Sequence, residues 1–214
     1  MARRKPISIL RGKANLQRRF GRRPPRSVTL IVCEGHTERE YFEAARIHYK
    51  LTTAEVIVAE NTVGPAPISV VECATERAME RGGYDTVFCV FDRNGHESFQ
   101  RARDTIGTLA ARKRHPLQIR EAISIPCFEL WVLLHFVQTD APFGGCAEVI
   151  DRIRSGPMPS YQKADAETAR QLMASLNAAL SNADWLERRG GVNDYNPYTT
   201  VHRVLHHFAS VAGL

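Results

Sequence analysis

Short apolar runs alternate along the first two thirds of the chain with segments of helical periodicity. Val28 to Cys33 is a β-branched, apolar run that stops at Glu34-Gly35. Ala54 to Glu60, AEVIVAE, reads as a second strand. Val87 to Phe91, within TVFCVFDRN, is continuously apolar, as expected of a strand buried on both faces of a parallel sheet. Leu117 to Ser124 completes the series. Between them, Tyr41, Phe42, Ala45 and Tyr49 share one helix face, and Val70, Val71, Ala74 and Ala78 another, in a helix over 67–81 ended by Gly82-Gly83. A third helix over 97–113 turns Phe99, Ala102, Ile106, Leu109 and Ala110 inward and ends at a basic cluster, Arg112 to His115, before Pro116. The order βαβαβαβ predicts an α/β fold with a mostly parallel sheet flanked by helices.

The next segment, CFELWVLLHF, follows Pro126 and is apolar on nearly every side, which predicts a buried helix with the proline at its first position. Beyond Val137 the texture becomes helical and rich in breakers. Helices are expected over 146–154, 166–182 and 199–211, the last entered through Asn196-Pro197, with a polar loop from Arg188 to Asn193. The chain therefore divides into a basic arm (1–26), an α/β domain (27–137) and a C-terminal helical subdomain packed on it (138–214).

Candidate chemistry gathers at strand ends. In VTLIVCEGHTEREY, Thr37 with Glu40 three residues on spells a capping box, so Glu34 falls on the loop between strand and helix. Open α/β sheets bind ligands outside such carboxyl ends. Asp92 and Asn94 follow the later strand in the same way. Should the two strands be neighbours, Glu34, Asp92 and the Asn94 amide would converge as hard oxygen donors suited to Mg²⁺ or Mn²⁺. The plain alternatives are an acid favoured by a helix dipole and an ordinary loop aspartate. Glu129, inside the apolar helix, either reaches the same acidic cluster or serves structurally, paired with an arginine or capping its own helix. His135 reads as a core or helix-end residue. His202, His206 and His207 stand at helical spacing with no acid or cysteine near them in sequence, and read as packing or surface residues.

A strand ending in Glu-Gly and a later one ending near Asp-x-Asp resembles the Toprim fold of topoisomerases, primases and related nucleases. The fuller string CEGHTEREYF, with FDRNGH and SIPCFELWVLLHF, resembles the RloB family of bacterial proteins from about Val28 to the NPYTTV segment. The resemblance implies a Toprim-like, metal-dependent nuclease domain, occurrence in phage-defence loci, and a partner ATPase. It makes Glu34 a general acid/base or metal-organising carboxylate, Asp92 the principal metal ligand with Asn94 assisting, and Glu129 a supporting acid. Lys163 corresponds to the lysine of a Tyr-x-Lys element that stabilises phosphate; the alternative is an exposed lysine at a helix start. This chain has Asn94 where the Toprim pattern has a second aspartate, which removes one negative charge from a two-metal arrangement.

Charge sharpens the picture. Ten of the 29 basic residues, Arg3, Arg4, Lys5, Arg11, Lys13, Arg18, Arg19, Arg22, Arg23 and Arg26, precede the first acid, Glu34. The rest carries 19 basic against 23 acidic residues, a balance of −4. The arm thus suits phosphates and predicts a nucleic-acid partner, DNA or RNA; a solvated extension or a partner's acidic face is the alternative. No apolar run reaches the roughly 18 to 20 residues needed to span a bilayer, and the basic N-terminal region lacks the apolar segment of a signal peptide. A cytoplasmic protein with no membrane partner is expected, the assembly state, a homo-oligomer included, being left open. Cys33, Cys73, Cys89, Cys127 and Cys146 form no CxxC pair and read as reduced core residues rather than disulfides or a zinc site. There is no GxxxxGK[ST] motif, so nucleotide-driven gating would need the partner ATPase.

Overall fold

The computed structural model describes residues 27–59, 66–111, 118–189 and 196–214. The basic arm, the Arg112–His115 cluster and most of the polar loop after Arg189 lie outside these residues. The elements run β1 (Thr29–Cys33), α1 (His36–His48), β2 (Ala54–Val58), α2 (Pro67–Arg81), β3 (Thr86–Asp92), α3 (Phe99–Ala110), β4 (Gln118–Ile125), α4 (Glu129–Leu134), α5 (Cys146–Arg154), α6 (Ala166–Leu172), α7 (Leu176–Arg189), β5 (Tyr198–Thr199) and α8 (His202–Ala212). The sheet order is β2-β1-β3-β4-β5, parallel except for β5, which pairs antiparallel with β4.

Alternation along the central strands sorts their side chains between two cores. Ile31 and Cys33 of β1, with Phe88 and Val90 of β3, face α1 and the helices α4 to α8; Leu30, Val32, Val87, Cys89 and Phe91 face α2 and α3. The C-terminal helices share one continuous core with that face of the sheet. The chain leaves β1 toward β2, then crosses back to the other side of β1 to make β3. Strand order therefore reverses between β1 and β3, and the helices that follow these strands depart to opposite faces. The carboxyl ends of β1 and β3 open into the crevice so formed.

The helix over CFELWVLLHF is buried as expected, with Phe128, Leu130, Trp131, Leu133 and Leu134 at most 1% exposed. Each large side chain so buried contributes about 2–3 kcal/mol by removal from water. Pro126, however, sits in the turn before it through a cis bond with Ile125, and the helix begins at Glu129. The helix expected over 166–182 is two helices, separated by a 3-10 turn at Met173–Ser175. Ser175 there donates its hydroxyl back to the Leu172 carbonyl (3.2 Å) and contacts His135 Nδ1 (3.3 Å), a competing backbone bond of the kind that bends helices. Thr199, read as the start of the last helix, instead joins Tyr198 in the short strand β5, and α8 begins at His202. No helix among the described residues is long and apolar enough to cross a membrane.

Candidate functional site

The end of β1 is tied to the end of β3 by backbone and side chain together. Glu34 N–H continues the ladder to the Val90 carbonyl (3.0 Å), and Glu34 Oε2 accepts the Asp92 backbone N–H (3.0 Å). The opposite oxygen, Oε1, lies 3.2 Å from His96 Nε2. Asp92, half-buried at the last position of β3, accepts the Phe128 backbone N–H (2.9 Å) from the turn between β4 and α4. Glu34 and Asp92 thus share the crevice between β1 and β3.

A third carboxylate joins them. α1 begins at His36 with Gly35 as its N-cap and no side-chain cap, so the capping box read from Thr37 and Glu40 does not form. Glu40 pairs with Arg39 instead, and Thr37 Oγ1 accepts the Ala164 N–H (3.2 Å), pinning the segment before α6 onto the start of α1. That leaves the first turn of α1 to Glu38, whose carboxylate folds back over its own helix N-terminus and is buried. Gly35 makes room for it: a Cβ there would meet Glu38 Oε2 at 2.9 Å. Backbone strain is not involved, because Gly35 is extended, with φ of −139°. Gly35→Ala is expected to fold with a melting temperature near that of the parent, but to displace Glu38 and weaken the binding of Mn²⁺, which isothermal titration would register.

Electrostatics mark this cluster as short of positive charge. Loss of solvation pushes Glu38 up to about 7, opposed by the helix backbone and reinforced by the charges of Glu129 and Glu34. Burial likewise drives Asp92 well above the usual carboxylate range, with Glu38, Glu34 and Glu129 adding repulsion and the Phe128 N–H opposing. Glu34 is raised by burial against the Asp92 N–H and His96. Acids that raise one another in this way favour either protons or a bound cation. Their hard oxygens are of the type that Mg²⁺ or Mn²⁺ takes, and Glu34, Asp92 and Glu38 are the residues that would hold such an ion.

The remaining candidates separate. Glu129, 1% exposed, lies close enough to raise Glu38 and Asp92, yet has its own partners: Lys163 Nζ at 2.7 Å, the Tyr161 hydroxyl at 3.3 Å and Cys146 Sγ at 3.1 Å. Its countercharge is thus a lysine rather than an arginine, and it makes no cap. Lys163, about half exposed, spans from solvent to that buried carboxylate. It is held just before α6, whose N-cap Asp165 accepts Thr168 N–H at 2.7 Å. Asn94 is exposed on the turn after β3, with φ of +25° and its N–H on the Pro126 carbonyl (3.1 Å); among the described residues no hydrogen bond joins its side chain to Glu34 or Asp92. The arm residues lie outside the described residues.

Sequence reading missed Glu38, although its spacing of four from Glu34 was visible, because Thr37 and Glu40 offered a familiar cap. It missed His96, two residues beyond Asn94, for want of any pattern. Tertiary contacts bring one further correction, at the cysteines, and give two of the packing or surface histidines acid partners that the sequence did not show. Cys127 and Cys146, read as reduced core residues, come together as a disulfide pair across 19 residues of sequence. His202 and His206 do meet acids: His202 Nε2 lies 2.8 Å from Glu187 and His206 Nε2 3.1 Å from Asp184, both brought by α7.

Among the described residues, the set of three His, Cys, Asp or Glu side chains whose ligand atoms all lie within 4.8 Å of one another is Cys127, Glu129 and Cys146, not the Glu34 cluster. Neither the curated proteins nor the solved structures contain a match to the chain. The family model described as RloB-like protein matches residues 29–208, which include every carboxylate named above as well as Lys163. With most of its length so matched, the chain belongs to the RloB-like protein family.

Proposed function

We propose that the chain is a Toprim-like nuclease dependent on Mg²⁺ or Mn²⁺ that hydrolyses phosphodiester bonds in DNA or RNA. The observation that carries this reading is the pairing of Glu34 and Asp92 at the ends of adjacent central strands where strand order reverses, in a cluster of acids that burial and mutual repulsion raise. A bound divalent cation would offset the charge of the phosphodiester and lower the pKa of an attacking water. Asp92 serves as principal ligand, and its backbone N–H fixes Glu34, which organises the shell or moves the proton of the nucleophile. Glu38 adds a ligand or a shell-ordering charge. Lys163, kept at the solvent edge by Glu129, meets the phosphate. Asn94 can assist only through its amide oxygen. A role in defence against phage, beside a partner ATPase, follows from the family resemblance alone.

A second reading has its own support: Asn94 stands where the Toprim pattern has an acid, and the Glu34 cluster does not close to a three-ligand site. The chain would then be a non-catalytic nucleic-acid-binding module or a regulator of the ATPase. Incubation of the protein with plasmid, single-stranded DNA and tRNA, with Mg²⁺, Mn²⁺ or EDTA, separates the two. Metal-dependent cleavage lost in Glu34→Gln supports the nuclease; binding that survives the substitution without cleavage under any condition, including with the ATPase present, supports the module. In either case, deleting residues 1–26 is expected to weaken nucleic-acid binding at low salt by tenfold or more regardless of sequence. It should also flatten the dependence of affinity on salt, measured by fluorescence anisotropy from about 50 to 200 mM.

A further inference from the structure

Cys127 and Cys146 meet beside the candidate centre with Cα atoms 5.6 Å apart. Cys127 lies in the turn between β4 and α4, flanked by Pro126, whose carbonyl accepts the Asn94 N–H, and by Phe128, whose N–H braces Asp92. Cys146 opens α5. The two differ in access: Cys127 is 1% exposed, whereas Cys146 is only partly buried and has Lys163 Nζ 3.9 Å from its sulfur. Such a cation favours a thiolate.

Glu129 couples to this pair. Tyr161 and Lys163 both serve its Oε1, while Oε2 faces Cys146 Sγ at 3.1 Å, a separation at which Cys146 in its reduced form would donate its S–H to the carboxylate. A disulfide sulfur carries no proton, so oxidation withdraws that donor from a buried carboxylate. By linkage, the carboxylate must favour the dithiol form.

We propose that Cys127 and Cys146 are a reversible dithiol–disulfide pair whose poise is set by the Glu129 carboxylate. Cys146, the more accessible cysteine, loses its proton to solvent and as the thiolate attacks a small-molecule disulfide such as oxidised glutathione, breaking its S–S bond, forming a mixed disulfide and releasing one thiol. Cys127 then attacks the Cys146 sulfur, closing the intramolecular bond and releasing the second thiol. The protein pair gives up two electrons and two protons, and the small disulfide becomes two thiols. Because Phe128 follows Cys127 directly, the redox state acts on the turn that braces Asp92; that consequence rests on the nuclease reading, whereas the redox pair does not.

The test uses the full chain equilibrated in glutathione buffers of graded oxidised-to-reduced ratio, denatured in iodoacetamide and weighed intact. Alkylated cysteines should fall from five to three in one two-electron transition, with Cys33, Cys73 and Cys89 still modified. Glu129→Gln should reach half-oxidation at a ratio lower by about tenfold or more. Lys163→Met, altered at the solvent edge, should be oxidised several-fold more slowly at pH 7.5, and decides the matter should Glu129→Gln melt below the assay temperature. Five alkylated cysteines at every ratio, a transition unmoved by Glu129→Gln in the folded state, an unchanged rate in Lys163→Met, or stoichiometric zinc shielding both thiols would each overturn the proposal.

Discussion

Asp92→Asn is expected to lower metal-dependent cleavage of nucleic acid by on the order of 100-fold or more while leaving the fold in place. On the proposed reading the carboxylate is the metal ligand and its loss removes the chemistry, whereas the asparagine side-chain oxygen can still accept the Phe128 N–H that Asp92 accepts now. The backbone N–H of residue 92, which holds Glu34, is untouched by the change. Glu34→Gln should be about as damaging, because Glu34 is the other carboxylate at the reversal of strand order. The double variant should be little worse than either single one, since residues acting on one ion are not additive. Circular dichroism and a thermal melt alongside the cleavage assay separate lost chemistry from lost structure.

Glu38→Gln should split stability from activity. Glu38 is pushed from the ordinary carboxylate range up to about 7 in the folded protein, first by burial and then by Glu129 and Glu34. The folded state therefore binds the Glu38 proton more tightly than the unfolded chain does. At pH 8, where the group is ionised in both states, its charge costs the fold its full penalty. That penalty is relieved as pH falls through about 7 toward 4.5, the ordinary value. In EDTA at pH 8, Glu38→Gln is thus expected to be more stable than the parent by about 1–3 kcal/mol, an advantage that shrinks below pH 7 and closes near pH 4.5. With Mn²⁺ the order should reverse in the response: the parent gains melting temperature from the ion and the variant gains less, with cleavage reduced. Denaturant titrations at several pH values, with and without metal, check both halves.

How much of this was legible beforehand differs by element. The strands and helices through β4 announced themselves, because a doubly covered parallel strand has to be continuously apolar and α2 carries both a proline start and a glycine end. The helix over 146–154 was equally plain in its pattern. The crevice was only half legible. Two acidic strand ends could be read, but their adjacency depends on the crossover that carries β3 past β1, which local pattern does not encode. Glu38 was hidden for a different reason: a capping box was a sufficient local account of the helix start, and tertiary contacts overrode it when Ala164 took the Thr37 hydroxyl. The meeting of Cys127 with Cys146, and of Asp184 and Glu187 with His206 and His202, likewise depends on how helices dock.

Crystals of the chain grown with Mn²⁺ and measured near the manganese absorption edge address the central claim most directly. An anomalous peak within coordination distance of both Glu34 and Asp92, absent from Asp92→Asn crystals, is the predicted result. Density at Cys127, Glu129 and Cys146 instead, or none at the ends of β1 and β3 with the ion in excess, would contradict it.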